Sequence, residues 1–408
     1  MKSGLSYLLA ARQCEIDELE RLARTSELVG VIGRFNHALQ RERGISNIYL
    51  ASRGERFGDM RVQQMAQCDA LQRETIESFE RLGADGQRVQ NGARLFHRVA
   101  VVLQALDGLP ELRSRVATQA MTPRGATEAY ARLVAGLLAV VFEAADSAGD
   151  PEISRALVAM FNYMQGKEFA GQERAFGSAT FASGRIDAPG QREWRHLIEQ
   201  QQQCFQVFAD FADAQAVAAE HASHDDRTLA QLERLRRVGW ALADGPAESG
   251  AVLVWYDCCT QRLDAMRAIE DLLAANLRRL CERKIAEARD ALRNQKAVMD
   301  GLHRQAGAQD ASGLARFGPQ LERSVFDLVQ EQSRRLQAMS DELDTVRGAL
   351  NERKVVERAK GLLMAHRQLS EEEAYKSLRQ MAMNQKRRLV DVAEAVLAMA
   401  DMLPGRPR

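Results

Sequence analysis

Apolar residues recur at three- and four-residue intervals along most of this chain, and alternation with the period of a strand nowhere persists for a useful length. Only 8 prolines interrupt the 408 residues, so long helices can run with few forced breaks. The pattern predicts an all-α protein. A single hydrophobic core does not grow to this length, so two or more domains are expected.

The breaks punctuate the helices. Asp107-Gly-Leu-Pro110, Met121-Thr-Pro123, Gly149-Asp-Pro151, the stretch 182–190 and Asp244-Gly-Pro246 all carry turn residues between periodic segments from about residue 10 to 305. Asp150-Pro151-Glu152 reads as a helix start. Asp caps free amides, proline fits the first turn and glutamate suits the positive helix end. Ile153, Leu157, Met160 and Met164 then mark a buried face.

The segment from Gln305 to Gly313, closing near Gly318-Pro319, lacks apolar periodicity and is rich in small residues, which predicts a linker over 306–322. Beyond it Val325, Val329, Gln332, Leu336, Met339, Leu343, Val346 and Leu350 alternate by four and three, the seam of a coiled coil over 323–350. Such a seam pairs two copies into a homodimer or packs one helix within the chain.

The apolar run Leu133 to Phe142 is far shorter than the roughly 20 residues a spanning helix needs. The N-terminus turns acidic without the pattern of a cleaved signal. Together these predict a cytoplasmic protein with no membrane partner. The 6 cysteines form no C-x-x-C pair and no Cys/His group at metal-ligand spacing, so they read as buried free thiols and no metal is expected. The 7 histidines make no H-E-x-x-H, and neither a nucleophile elbow nor a phosphate loop occurs. No catalytic residue and no cofactor is expected.

Net charge is zero over the whole chain, but residues 347–408 hold 13 Lys/Arg against 8 Asp/Glu, a surplus of five set against a deficit of five elsewhere. A basic module follows a mildly acidic one. Within it Val355, Ala359, Leu362 and Leu363, then Ala374, Leu378 and Met381, then Leu389, Val392, Ala393, Val396 and Met399 give three apolar faces, and Ser370 with Glu373 forms a capping box. A small three-helix bundle over 351–408 is predicted, its first helix continuous with the coiled coil.

The run ERKVVERAKGLLM, followed by SEEEAYKSLRQMAM, QKRRL and DVAEAV, resembles the ANTAR domain. The resemblance implies a module that binds a structured leader RNA hairpin and prevents a terminator from forming. Lys360, Arg379, Lys386, Arg387 and Arg388 are the candidate RNA contacts, since helical cations neutralise phosphates and arginine can also stack on or fork to splayed bases. Tyr375 is the only aromatic residue there, so arginine must carry most base recognition. Composition alone would equally suit a DNA-binding helix-turn-helix.

On a helical wheel Ile32, Phe35, Leu39, Arg43 and Leu50 share one face, and Arg41 points the other way. Arg43 is directed inward, where a guanidinium needs either a structural ion pair or a ligand. QRERGISNIYL around it, MFNYMQGKEFAGQERAFGSATFASG, and LERLRRV at Leu232–Val238 resemble, in order, the motifs of the NIT domain, a nitrate- and nitrite-sensing module, over roughly residues 30–285 of a sensor region spanning 1–305. The resemblance implies a long helical bundle holding the anion between arginines, here Arg43 and either Arg236 or Arg237, the family pattern favouring Arg237 and the wheel leaving both open. A planar guanidinium matches the in-plane oxygens of nitrate. Lys167, Glu168 and Arg174 would form the surrounding shell, or an interhelical salt-bridge network. The expected whole is a nitrate- or nitrite-responsive antiterminator of nitrate-assimilation genes; the alternatives are a ligand-sensing scaffold acting through protein contacts and a DNA-binding regulator.

Overall fold

The computed structural model describes residues 4–84, 92–223, 225–242, 250–310, 319–367, 369 and 371–401. Among them every regular element is a helix. In chain order these are α1 (Gly4–Ala51), α2 (Gly58–Ala84), α3 (Gly92–Asp107), α4 (Leu109–Ala117), α5 (Pro123–Asp146), α6 (Pro151–Ser183), α7 (Ala188–Phe211), α8 (Ala214–Ser223), α9 (Asp226–Trp240), α10 (Ala251–Asp310), α11 (Pro319–Arg367), α12 (Glu371–Gln385) and α13 (Leu389–Asp401). They cluster into two compact units, Met1–Ser340 and Asp341–Arg408, and the division falls inside α11.

Local chemistry sets many of the helix starts. Thr122 accepts from the Gly125 amide ahead of Pro123, Asp150 from Ile153 ahead of Pro151, and Asp187 from Gly190 at the start of α7. An oxygen-bearing cap before proline satisfies one orphan amide, and the ring removes another. α6 closes on Gly184 at φ +67°, the left-handed turn that favours glycine. The predicted break at Asp244-Gly-Pro246 lies outside the described residues, as do Ser370 of the capping box and positions 311–318 of the linker segment. The rest of that segment is helical, at the end of α10 and the start of α11.

In the first unit α6 is the central element, packed on α1, α5, α7, α9 and α10. α5 extends the Leu133–Phe142 run to 24 residues and is the one described helix long and apolar enough to cross a membrane by length and composition. Tyr130, Val134, Leu137, Val140 and Val141 on it are buried, and α5 packs on α1, α3 and α6. That is the arrangement of a core helix. Five of the six cysteines are buried free thiols and Cys14 is exposed.

In the second unit Ala359, Leu363, Ala374, Leu378, Ala382, Val392 and Ala393 form the core, flanked by Val355, Met381, Leu389 and Val396. The three faces legible in the sequence meet there. Along α11, Leu336 is exposed, Met339 and Leu343 are half-buried and Val346 is buried; the side chains of Val325, Val329, Gln332 and Leu350 lie outside the described set.

Candidate functional site

The inward face of α1 is built as its periodicity requires: Ile32, Phe35, Leu39 and Arg43 have no exposure and Leu50 is buried, whereas Arg41 faces solvent. Arg43 meets Glu168 of α6 through a two-pronged contact, Nη1 to Oε1 at 2.5 Å and Nη2 to Oε2 at 3.2 Å. Gln40 and Gln172 each donate a side-chain amide to the same carboxylate at 2.9 Å. Gly171 makes room for the guanidinium, since a Cβ there would lie 2.5 Å from Arg43 Nη2. The Arg43 Nε is buried with no partner.

Arg174, one turn further along α6, is buried and donates to the Gln40 carbonyl at 2.9 Å and to Thr260 Oγ1 at 3.0 Å, its guanidinium carbon 5.0 Å from the centre of the Tyr256 ring. Gln40 therefore ties Arg174 and Glu168 to one turn of α1. Lys167 is fully buried and binds Glu270 of α10 at 2.6 Å. Burial pulls its ammonium below the ordinary lysine range, although Glu270 works against the shift. Lys167, Glu168 and Arg174 are thus parts of an interhelical polar network, with Glu168 in direct contact with Arg43.

The arginines of LERLRRV separate cleanly. Arg236 is buried and forks onto Glu173 of α6, Nε to Oε1 and Nη2 to Oε2 both at 2.7 Å, while Nη1 reaches Glu233 at 2.5 Å. Arg237 faces solvent. Glu173 also accepts from Trp194 Nε1 and Gln201, and Arg262 stands 3.9 Å away. Burial works to raise the Glu173 carboxyl, but Arg236 and Arg262 outweigh it and hold the group below the usual carboxylate range.

Arg43 and Arg236 both end on α6, but not on the same side of it. At about 100° per residue, five positions place Glu168 and Glu173 about 140° apart around the helix. Each arginine has its own glutamate, which offsets the desolvation of a buried guanidinium. A hollow of about 630 Å³ between α2 and α4 is lined in part by Arg113, which binds Glu42 of α1.

In the second unit Arg379, Lys386, Arg387 and Arg388 are exposed. Lys386 sits at φ +51° where α12 ends, and the Lys386 and Arg387 amides close that end on Met383 and Ala382. The turn into α13 therefore presents three consecutive cations. Arg388 also pairs with Glu352 and Asp391. Lys360 differs from the expectation of a surface cation: it is buried, its ammonium 5.9 Å from the centre of the Tyr375 ring, because α12 covers that face of α11. Tyr375 is buried by the same packing and is not a free platform for a base.

Sequence reasoning did not find Gln40, Glu173, Glu270 or Arg262 as members of the buried network. Their signal is weak, since a glutamate or glutamine on a helix is ordinarily a surface residue. The available hint was density: four charged residues, Lys167, Glu168, Glu173 and Arg174, fall within one helix that is buried on nearly every side.

Comparison with known proteins follows this division of the chain. A family model described as nitrate and nitrite sensing matches residues 35–278, and the ANTAR domain model matches residues 344–397. A nitrate regulatory protein of Klebsiella oxytoca is 32% identical over 406 residues, 99% of this chain and 97% of that protein. The solved structure of the NasR transcription antiterminator superposes with a TM-score of 0.62 at 30% identity, covering 97% of this chain and 99% of that one.

Proposed function

The chain belongs to the family of nitrate- and nitrite-sensing regulators in which a NIT domain precedes an ANTAR domain, and we propose that it is a cytoplasmic antiterminator whose RNA binding is governed by nitrate or nitrite. The sensor occupies residues 1–305, and the module over 351–408 takes a leader RNA hairpin. The protein acts by binding, without turnover, and works as a homodimer joined along α11.

One observation carries the sensor half. Arg43 is fully buried and already presents two parallel donors to a planar, delocalised anion, the Glu168 carboxylate. Nitrate and nitrite offer the same planar pair of acceptor oxygens. Arg236 holds Glu173 in the same manner, so it is the better second ligand than the solvent-facing Arg237. Because both glutamates belong to α6, an anion at either arginine acts on one helix, which biases a two-state equilibrium in the bundle. A complete switch from off to on requires about 5.5 kcal/mol of differential affinity. One small anion supplies a fraction of this, and two sites in a dimer supply more.

On the RNA side, Arg379, Lys386, Arg387 and Arg388 contact phosphates and loop bases, while Lys360 braces α11 on Tyr375 beneath them. Isothermal titration with sodium nitrate tests the sensor assignment: wild type binds, Arg43→Ala does not, and Arg236→Ala is impaired more than Arg237→Ala. Unchanged nitrate binding by all three variants would overturn it. Deletion from Asn351 onward abolishes hairpin binding; retention of tight binding by that truncated chain contradicts the assignment of the C-terminal module.

A further inference from the structure

We infer that Glu168 is a built-in competitor for the anion: its carboxylate occupies the place on Arg43 that nitrate must take, so the sensor rests in a self-occupied state and ligand binding is an exchange of one planar anion for another. This rests on Arg43 being the nitrate site.

A guanidinium has a limited number of edges that can hold two oxygens side by side. Glu168 uses the edge formed by the two terminal nitrogens of Arg43. The edge formed by Nε and Nη2 shares Nη2 with that contact; Nη2 stands 2.5 Å from where a Cβ at Gly171 would lie, and Nε is buried with no partner. A second planar anion therefore has no clear edge while Glu168 stays in place. A buried site that accepted nitrate beside the carboxylate would also hold two negative charges against one positive, which a low-dielectric interior penalises strongly.

Exchange avoids that penalty at Arg43, where one anion leaves as another arrives. Gln40 and Gln172 each donate to Glu168 while it sits on Arg43 and hold it there. They sit on different helices, Gln40 on α1 and Gln172 on α6, so release of Glu168 from Arg43 removes the direct ionic link between those helices. Signal generation and ligand competition are then a single event.

The competitor lowers apparent nitrate affinity by the fraction of time the site is free, so neutralising it raises that affinity by the inverse of that fraction. Titration calorimetry on the full chain with sodium nitrate provides the test, comparing wild type, Arg43→Ala, Glu168→Gln and Gln172→Ala. Loss of binding in Arg43→Ala with binding at least about tenfold tighter in Glu168→Gln supports the exchange. Loss of binding in Arg43→Ala with unchanged or weaker binding in Glu168→Gln overturns the exchange and leaves Arg43 as the site. Wild-type affinity in Arg43→Ala removes the site, and the exchange with it. Should Glu168→Gln fail to fold, Gln172→Ala decides: this partly exposed amide holds the competitor in place, so its removal tightens nitrate binding if Glu168 competes and leaves it unchanged if Glu168 is only structural.

Discussion

A buried cation is tolerated in a helical bundle only when a fixed partner replaces its water, and three side chains here meet that demand with a glutamate. Arg43 and Arg236 are each forked onto a glutamate of α6, and Lys167 leans on Glu270. His37 solves the same problem by remaining neutral. Burial, with Lys167, Arg267, Arg174 and Arg41 nearby, depresses its pKa to about 2, and this outweighs the half-exposed Asp264 carboxylate 3.8 Å from its Nε2. The unfolded chain takes up a proton on this histidine near pH 6.5 and the folded chain does not, so stability is fully present above that pH and declines below it. By pH 5 the loss from this group is about 2 kcal/mol. Chemical denaturation of wild type and His37→Gln at pH 7 and pH 5 measures it: the variant loses less stability over that interval. An equal loss in the two proteins would contradict the account. Glu173, whose folded pKa is depressed, contributes stability that is present above the ordinary carboxylate range and lost as pH falls below it, a separate and more acidic window.

Elements were legible in the sequence where their determinants are local. Thr122-Pro123, Asp150-Pro151-Glu152 and Asp187 start helices because each cap acts within three residues. The turn between α1 and α2 was not legible. It contains no proline, and Arg53, Gly54 and Phe57 take positive φ there, with Gly54 the only sequence trace. The inward aim of Arg43 is a property of one helix and could be read from a wheel. Its partner lies 125 positions away, and the burial of Arg236 rather than Arg237 depends on Glu173, Trp194 and Gln201 of other helices, so neither could be read. The burial of Lys360 could not be read for the same reason, since the ring that covers it belongs to α12. On α11 the seam leaves Leu336 63% exposed in the single chain. Isolated exposed leucines are common, but this one continues a four-and-three spacing through Met339 and Leu343. Leu336→Glu therefore weakens self-association by about tenfold or more, read by sedimentation velocity as a shift from dimer to monomer at micromolar concentration. A mass distribution identical to wild type would rule the seam out as the dimer contact.

At the scale of the whole molecule, charge is divided along the chain, with an acidic excess before residue 347 and a basic excess from there on. The three cations at the turn into α13 set a quantitative expectation for the second part. Replacing Lys386, Arg387 and Arg388 together by alanine lowers the slope of log affinity against log salt by about 2 to 3 in hairpin binding, and a slope equal to wild type would show that these residues do not reach phosphates. Coupling between the parts is the central claim, and binding of the leader hairpin measured by fluorescence anisotropy with and without nitrate tests it most directly. Nitrate should tighten RNA binding by the wild-type chain and leave Arg43→Ala unaffected. An equal nitrate response in Arg43→Ala, or no response in the wild type, would contradict the account.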